Sequence, residues 1–198
     1  MSVIINASTS SGLIQTADTS GTLVLQSNGT TQLTVSSTGA YGQLKSATAQ
    51  ASTSGTSIDF TSIPSWVKRI TVMVAGVSTN GTANYMVQIG SGSVVTTGYT
   101  DQLSVTTSAG ASSVSTYTNG FHFYNTGATG DAAYGHVVLT NVSGNLWIYS
   151  SNVVSTSPRM SVGAGGYTLS GVLDRVRITT SNGTDTFDAG SINILYEG

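Results

Sequence analysis

Apolar side chains in this chain come in short runs that alternate with polar ones, and no run is longer than four residues. Arg69 to Gly76 reads Arg-Ile-Thr-Val-Met-Val-Ala-Gly, which sets Ile70, Val72 and Val74 on one face of an extended segment. Successive side chains of a strand point to opposite faces, so period-two alternation marks a half-buried β-strand. No segment keeps a helical period, and strong helix formers are scarce, with one Glu and two Lys in the whole chain. Turn residues punctuate the runs, as at Asn28-Gly29, Ser78-Thr-Asn-Gly81 and Asn141-Val-Ser-Gly144. The pattern predicts an all-β fold, an antiparallel, jelly-roll-like β-sandwich of about seven to nine short strands.

Composition sharpens this expectation. The chain has 31 Ser, 31 Thr and 24 Gly, and only 7% of its residues are charged. Such a bias ordinarily accompanies disorder. Here 38% of the residues are hydrophobic, and Val, Ile, Tyr and Thr suit a pleated surface while Gly, Ser and Asn suit turns.

Three regions differ in apolar density. Residues 1–42 repeat a strand about every ten positions, through Ile14, Leu23 with Leu25, and Leu33 with Val35. So few large side chains do not make a core alone. This segment is expected to anchor or form a shaft, packed on copies of itself or on another protein. Residues 43–57 read as a linker that carries an irregular strand. Residues 58–198 read as the sandwich head, with 69–76 and 84–89 expected as one hairpin, 134–140 and 145–150 as another, and 155–171 as loop. Leu173 to Thr179 is expected as a central strand. Val176 and Ile178 would pack with Ile70, Val72, Ile192 and Ile194, and Arg177 on the other, cationic face would matter less for folding unless it pairs with Asp185 or Asp188 across a subunit boundary.

Charge and composition exclude several function classes. The net charge is −2, and the six cations are scattered, whereas nucleic-acid binding needs several on one face. A membrane helix needs about 20 apolar residues in a row, so membrane insertion is not expected. There is no Cys, hence no disulfide and no thiolate metal site. The start Met1-Ser-Val-Ile-Ile-Asn lacks a basic patch followed by a long apolar stretch, so synthesis in a cytoplasm without an export signal is expected. So little charge guards sheet edges poorly, and a homo-oligomer is the expected solution.

No catalytic constellation stands out. His122 and His136 sit inside alternating strands with no ligand-spaced partner. Ser is everywhere, so a Ser/His/Asp triad has no signature, and the strand-turn-helix setting of a nucleophile elbow is missing. Eight acidic residues with no paired motif argue against glycoside cleavage. Asn182-Gly-Thr-Asp-Thr-Phe-Asp188 gathers oxygen ligands of the kind calcium takes, but its spacing is first that of a turn. The expectation is therefore a non-enzyme without cofactor. Among nine tyrosines, Tyr99, Tyr117 and Tyr124 flank or lie within a long polar region. A ring beside hydroxyls and amides can stack on sugar, which makes these three the candidate receptor contacts.

Two longer segments carry a resemblance. Asp59-Phe-Thr-Ser-Ile-Pro-Ser-Trp-Val-Lys-Arg-Ile-Thr-Val-Met-Val74 and Leu173 to Glu197 resemble blocks that recur in a family of tailed-bacteriophage virion proteins, described as tail fibre or virion structural proteins. Gly12-Leu-Ile-Gln-Thr and Leu23-Val-Leu-Gln-Ser-Asn-Gly-Thr resemble fibre shaft or anchor repeats. The resemblance covers residues 58–198, more weakly over 100–170, and brings no catalytic motif. It implies a short homotrimeric tail fibre, assembled into a virion in the host cytoplasm, joined to other virion proteins by its N-terminal segment and meeting a host-surface glycan with its head. A trimeric capsid decoration or cement protein is the alternative that the same resemblance allows.

Overall fold

The computed structural model describes residues 23–36, 39–41 and 44–198, and the chain divides into two compact units, Met1–Gln43 and Leu44–Gly198. In the first unit β1 (Leu23–Ser27), β2 (Thr30–Ser36) and β3 (Gly39–Tyr41) form an antiparallel sheet in that order. Asn28 and Gly29 take φ of 50° and 74°, the two-residue hairpin turn that Asn-Gly favours. Leu23 stands opposite Val35, and Leu25 opposite Leu33, so these four share one face. Leu23, Val24, Leu25 and Val35 are exposed. The strand expected around Ile14 and the turn at Asp18 to Gly21 lie outside the described residues.

The second unit runs through β4 (Leu44–Ser46), β5 (Gln50–Ala51), β6 (Ser57–Thr61), β7 (Arg69–Thr79), β8 (Tyr85–Ser91), β9 (Ser93–Val94) and β10 (Thr100–Thr107). It continues through β11 (Ser112–Tyr117), β12 (Phe121–Tyr124), β13 (Ala133–Ser143), β14 (Leu146–Ser155), β15 (Arg159–Thr168), β16 (Arg175–Thr180) and β17 (Phe187–Glu197). A large sheet has the order β11-β10-β15-β14-β13-β7-β17-β4, with β5 also on β17. A small sheet has the order β12-β8-β16-β6, with β9 on β8. Every ladder is antiparallel, and the fold is all-β and sandwich-like, as the alternation predicts.

Alternation builds the core. Ile70, Val72, Val74, Ile192 and Ile194 of the large sheet join Val87, Ile89, Val176 and Ile178 of the small sheet in one buried cluster. The strand expected at Leu173 to Thr179 is β16, flanked by β8 and β6, with Ile178 opposite both Val87 and Ile58. Arg177 finds its partner within the chain. Its Nε and Nη2 donate to the two oxygens of Asp59 at 2.7 and 2.9 Å, a forked pair to the residue directly opposite on β6 within the same chain.

Three further expectations are corrected. Residues 44–57 are not a free linker: β4 and β5 pair with β17, the Ala47 N–H donates to Ile194 O at 2.9 Å, and the Ser52 N–H donates to Gly190 O at 3.0 Å. The segments 69–76 and 84–89 do not form a hairpin, because β7 belongs to the large sheet and β8 to the small one. Asn80 to Asn84 carry the chain across, held by the Ala83 N–H on Asp185 Oδ2 at 2.9 Å. Residues 155–171 are not loop but contain β15, an interior strand of the large sheet. Its glycines serve close approach: a Cβ on Gly163 would stand 2.4 Å from the Tyr149 hydroxyl and 2.7 Å from the His122 carbonyl oxygen.

Ile178→Ala is expected to cost about 2–5 kcal/mol, the range for truncating a fully buried Ile, whereas losing the surface pair in Arg177→Ala should cost about 0–1 kcal/mol. Thermal or denaturant melts of the two variants measure this, and equal small effects would show that β16 does not carry the core.

Candidate functional site

The three tyrosines singled out from sequence occupy very different places. Tyr99 is buried, its ring 4.8 Å from that of Phe121 and 4.5 Å from that of Tyr167. Its hydroxyl accepts the Ile89 N–H at 2.9 Å and lies 3.0 Å from Val95 O, so it pins the chain where β8 bends into β9. Burial pushes this phenol far above its ordinary range. Tyr124 is also fully buried, and its hydroxyl donates to Asp131. No receptor reaches Tyr99 or Tyr124 without opening the core, so neither is a surface contact. Tyr117 is half-buried; its hydroxyl accepts Asn84 Nδ2 at 2.9 Å, and its ring stacks 3.7 Å from the His122 imidazole.

Beneath Tyr117 lies the most polar part of the interior. Asp101 on β10 and His122 on β12 are both fully buried. Asp101 Oδ2 accepts the His122 backbone N–H at 2.8 Å and stands 2.8 Å from His122 Nδ1. The Tyr149 hydroxyl donates to Asp101 Oδ1 and lies 2.9 Å from the His122 carbonyl oxygen. Burial, then the bond to Asp101, raises the Tyr149 phenol well above its ordinary range. An acceptor at Nδ1 puts the imidazole proton there and leaves Nε2 for a partner. Nε2 has none, and buried Ser151 Oγ has none either. A hydroxyl within reach of Nε2 would have satisfied both. The Ser-to-His contact that nucleophilic catalysis requires is therefore not made here. This cluster is a structural clamp between strands. His136, by contrast, is exposed on the outer side of β13.

Asp131 makes a second clamp. It accepts the Ser157 N–H at 2.9 Å and Thr156 Oγ1 at 3.1 Å, besides the Tyr124 hydroxyl. Burial pushes its carboxyl up, but the bonds from Tyr124, Ser157 and Thr156 outweigh this and hold it below the usual carboxylate range. Asp185 and Asp188, considered for an ion, are used separately. Asp185 accepts Asn182 Nδ2 and the Ala83 N–H, and Asp188 accepts the Ser78 hydroxyl.

The accessible candidate site is a groove of about 310 Å³ over the outer side of the small sheet. Ser57, Met86, Gln88, Asn119, Arg177 and Asn182 line it. Strand register explains the gathering: Gln88 stands opposite Arg177, and Met86 opposite Thr179. The loop before β12 closes one side, because Gln88 Nε2 donates to Asn119 O at 2.7 Å and Gly120 packs against Met86 so tightly that a Cβ would meet its sulfur at 2.8 Å. The groove offers hydroxyls and amides around a thioether. No carboxylate lines it: Asp59 is held by Arg177 and Asp185 by Asn182 and the Ala83 N–H, so the groove presents no carboxylate pair of its own for acid–base work on a glycoside. Its chemistry suits recognition of a neutral polar ligand. Sequence reasoning singled out Arg177 only as a strand residue and did not single out Gln88, Met86 or Asn119.

No family model matches the chain, and neither the curated proteins nor the solved structures contain a significant match.

Asp131 gives a pH-dependent expectation. A carboxyl held below its ordinary value of 3.8 in the folded state contributes stability above that value and loses it as pH falls through the folded pKa. Asp131→Asn should be less stable than the parent at neutral pH and show a shallower loss between about pH 5 and pH 2. Urea midpoints across that range measure it. Tyr149→Phe, which strips a donor from buried Asp101, should cost about 1–3 kcal/mol.

Proposed function

We propose that the protein is a non-enzymatic structural protein of a bacteriophage virion, a short trimeric tail fibre. The N-terminal unit attaches it to the particle, and the larger unit meets the host surface. One observation carries the reading: the N-terminal sheet leaves an apolar stripe uncovered. Leu23, Leu25 and Val35 lie on one face and are exposed, with Leu33 between them. Contiguous apolar surface on a small sheet is stable when another chain covers it. The larger unit has a closed core of its own, because its two sheets meet on one buried cluster. Attachment is assigned to the first unit, which has few large apolar side chains, and display to the second.

The likeness of Asp59 to Val74 and of Leu173 to Glu197 to phage virion blocks supplies the setting. The groove around Gln88, Asn119 and Arg177 supplies a surface for a host glycan, with neutral donors and acceptors in place of a catalytic carboxylate pair.

Deleting residues 1–42 is expected to leave a folded larger unit that no longer joins particles; normal incorporation would overturn the anchor assignment. Low-resolution imaging of labelled particles is expected to place the label on the tail, and label on the head would make the chain a capsid decoration protein. Incubation with host surface polysaccharide should release no reducing sugar, and release would refute the non-enzymatic reading.

A further inference from the structure

The outer face of the large sheet carries almost no charge from β10 to the middle of β7, where exposed His136 is the one titratable side chain. The outward positions of β10, β15, β14 and β13, and Thr71 to Ala75 of β7, carry no Asp, Glu, Lys or Arg. Two ion pairs, Asp59 with Arg177 and Asp174 with Arg175, stand at the small sheet, and a third, Arg69 with Glu197, closes this face at the ends of β7 and β17. Apolar side chains are exposed on the same face. Tyr134 and Val154 are cross-strand neighbours, Val154 pairs with Met160, and Ile148 and Val162 stand farther along β14 and β15. Tyr134 is 48% exposed, Met160 45%, and Ile148, Val154 and Val162 46% each.

The face also has relief. Tyr134, Val154 and Met160 rise at one end. At the other, Gly165 and Gly166 help to floor a hollow of about 640 Å³ beside Ile148 and Tyr167. Raised and hollowed apolar patches on one surface are what packing against copies of the same surface requires. The size fits as well. Five strands about 4.8 Å apart, each contributing about eight residues at about 3.3 Å, span on the order of 600 Å². A standard interface takes about 800 Å² from each partner. Over the outward positions of the strands from β10 to β13, which carry no Asp, Glu, Lys or Arg, no oppositely charged partner is called for, and a copy brings its own such surface without repulsion.

We infer that this face is the surface through which larger units of separate copies associate, with a copy of this chain as its occupant. The inference rests on the self-association proposed above and assigns it a surface. The opposite side of the sandwich, with its groove and ion pairs, is left facing outward.

The test uses the full chain. Val154→Lys combined with Val162→Lys places two cations per copy on the face. Both positions are exposed, so the far-UV circular dichroism should match the parent. Sedimentation should then fall from about three chain masses to the 20.1 kDa of one chain. Val172→Lys, at an exposed position in the loop between β15 and β16, should leave the assembly intact. The chain has no Cys, so Asn152→Cys carries a single spin label at the middle of the face. Dipolar broadening between copies is expected without any added charge. A double-lysine variant that stays assembled, or a label without broadening in an assembled protein, overturns the assigned face while the fibre reading stands. A parent chain that sediments as a monomer overturns both.

Discussion

The carboxylate of Asp101 is excluded from solvent and bonded from two sheets at once. A buried carboxylate is tolerable when donors surround it and very costly when they are removed. Here the donors are the backbone and ring of His122, from the edge strand of the small sheet, and the hydroxyl of Tyr149, from the interior of the large one. Much else follows from that arrangement. Tyr149 reaches Asp101 because Gly163, on the adjacent strand, has no side chain in its way. The Tyr149 ring stacks 4.5 Å from Phe121, and the Phe121 ring meets Tyr99. The His122 ring in turn gives Tyr117 its platform. A polar contact thus sets the position of β12, and the aromatic packing of that end of the sandwich is arranged around it.

The remaining polar chemistry is distributed unevenly. Buried carboxylates take hydroxyl and backbone donors, as at Asp131. Exposed ones take arginine, as at Asp59 and Asp174. The latter stand at the small sheet, whose outer side holds the groove. The broad outer face of the large sheet is covered by Ser, Thr, Asn and apolar residues. The sandwich therefore has one side rich in local electrostatic features and one side that is nearly bare of them, with Arg69 and Glu197 at its end and His136 among its neutral residues. In the proposed assembly these two sides take the two tasks of a fibre head, contact with the outside and contact with its own kind.

Period-two alternation made most of the large architecture legible. Ile70, Val72 and Val74 on β7, Val176 and Ile178 on β16, and Ile192 and Ile194 on β17 could be placed inward from sequence because each strand buries one face. Asn28-Gly29 could be read because its two residues admit positive φ. The misread elements have physical reasons. β15 looked like loop because Gly163, Gly165 and Gly166 suggest flexibility, whereas two of them serve tight packing. β7 and β8 looked like a hairpin because Ser78 to Gly81 is a good turn sequence, yet the chain uses it to change sheets. Tyr99 and Tyr124 looked like surface residues because their neighbours are polar. Those neighbours are the partners that let a phenol be buried: Asp131 for Tyr124, and backbone groups of Ile89 and Val95 for Tyr99. The groove was not legible at all. Ser57, Gln88, Asn119 and Arg177 are far apart in sequence and meet only through the register of β6, β8 and β16.

The neutral face of the large sheet has one more consequence. Dissolved ions weaken attractions between exposed charges within a Debye length of about 8 Å at physiological ionic strength. The stretch of this surface from β10 to β13, without Asp, Glu, Lys or Arg, offers little for them to screen. Excluded salts such as sulfate strengthen the burial of apolar groups instead. Contacts made through this face would hold from dilute fresh water to brine, and the ionic strength of the surroundings would be felt on the other side of the sandwich, at Asp59, Asp174, Arg175 and Arg177.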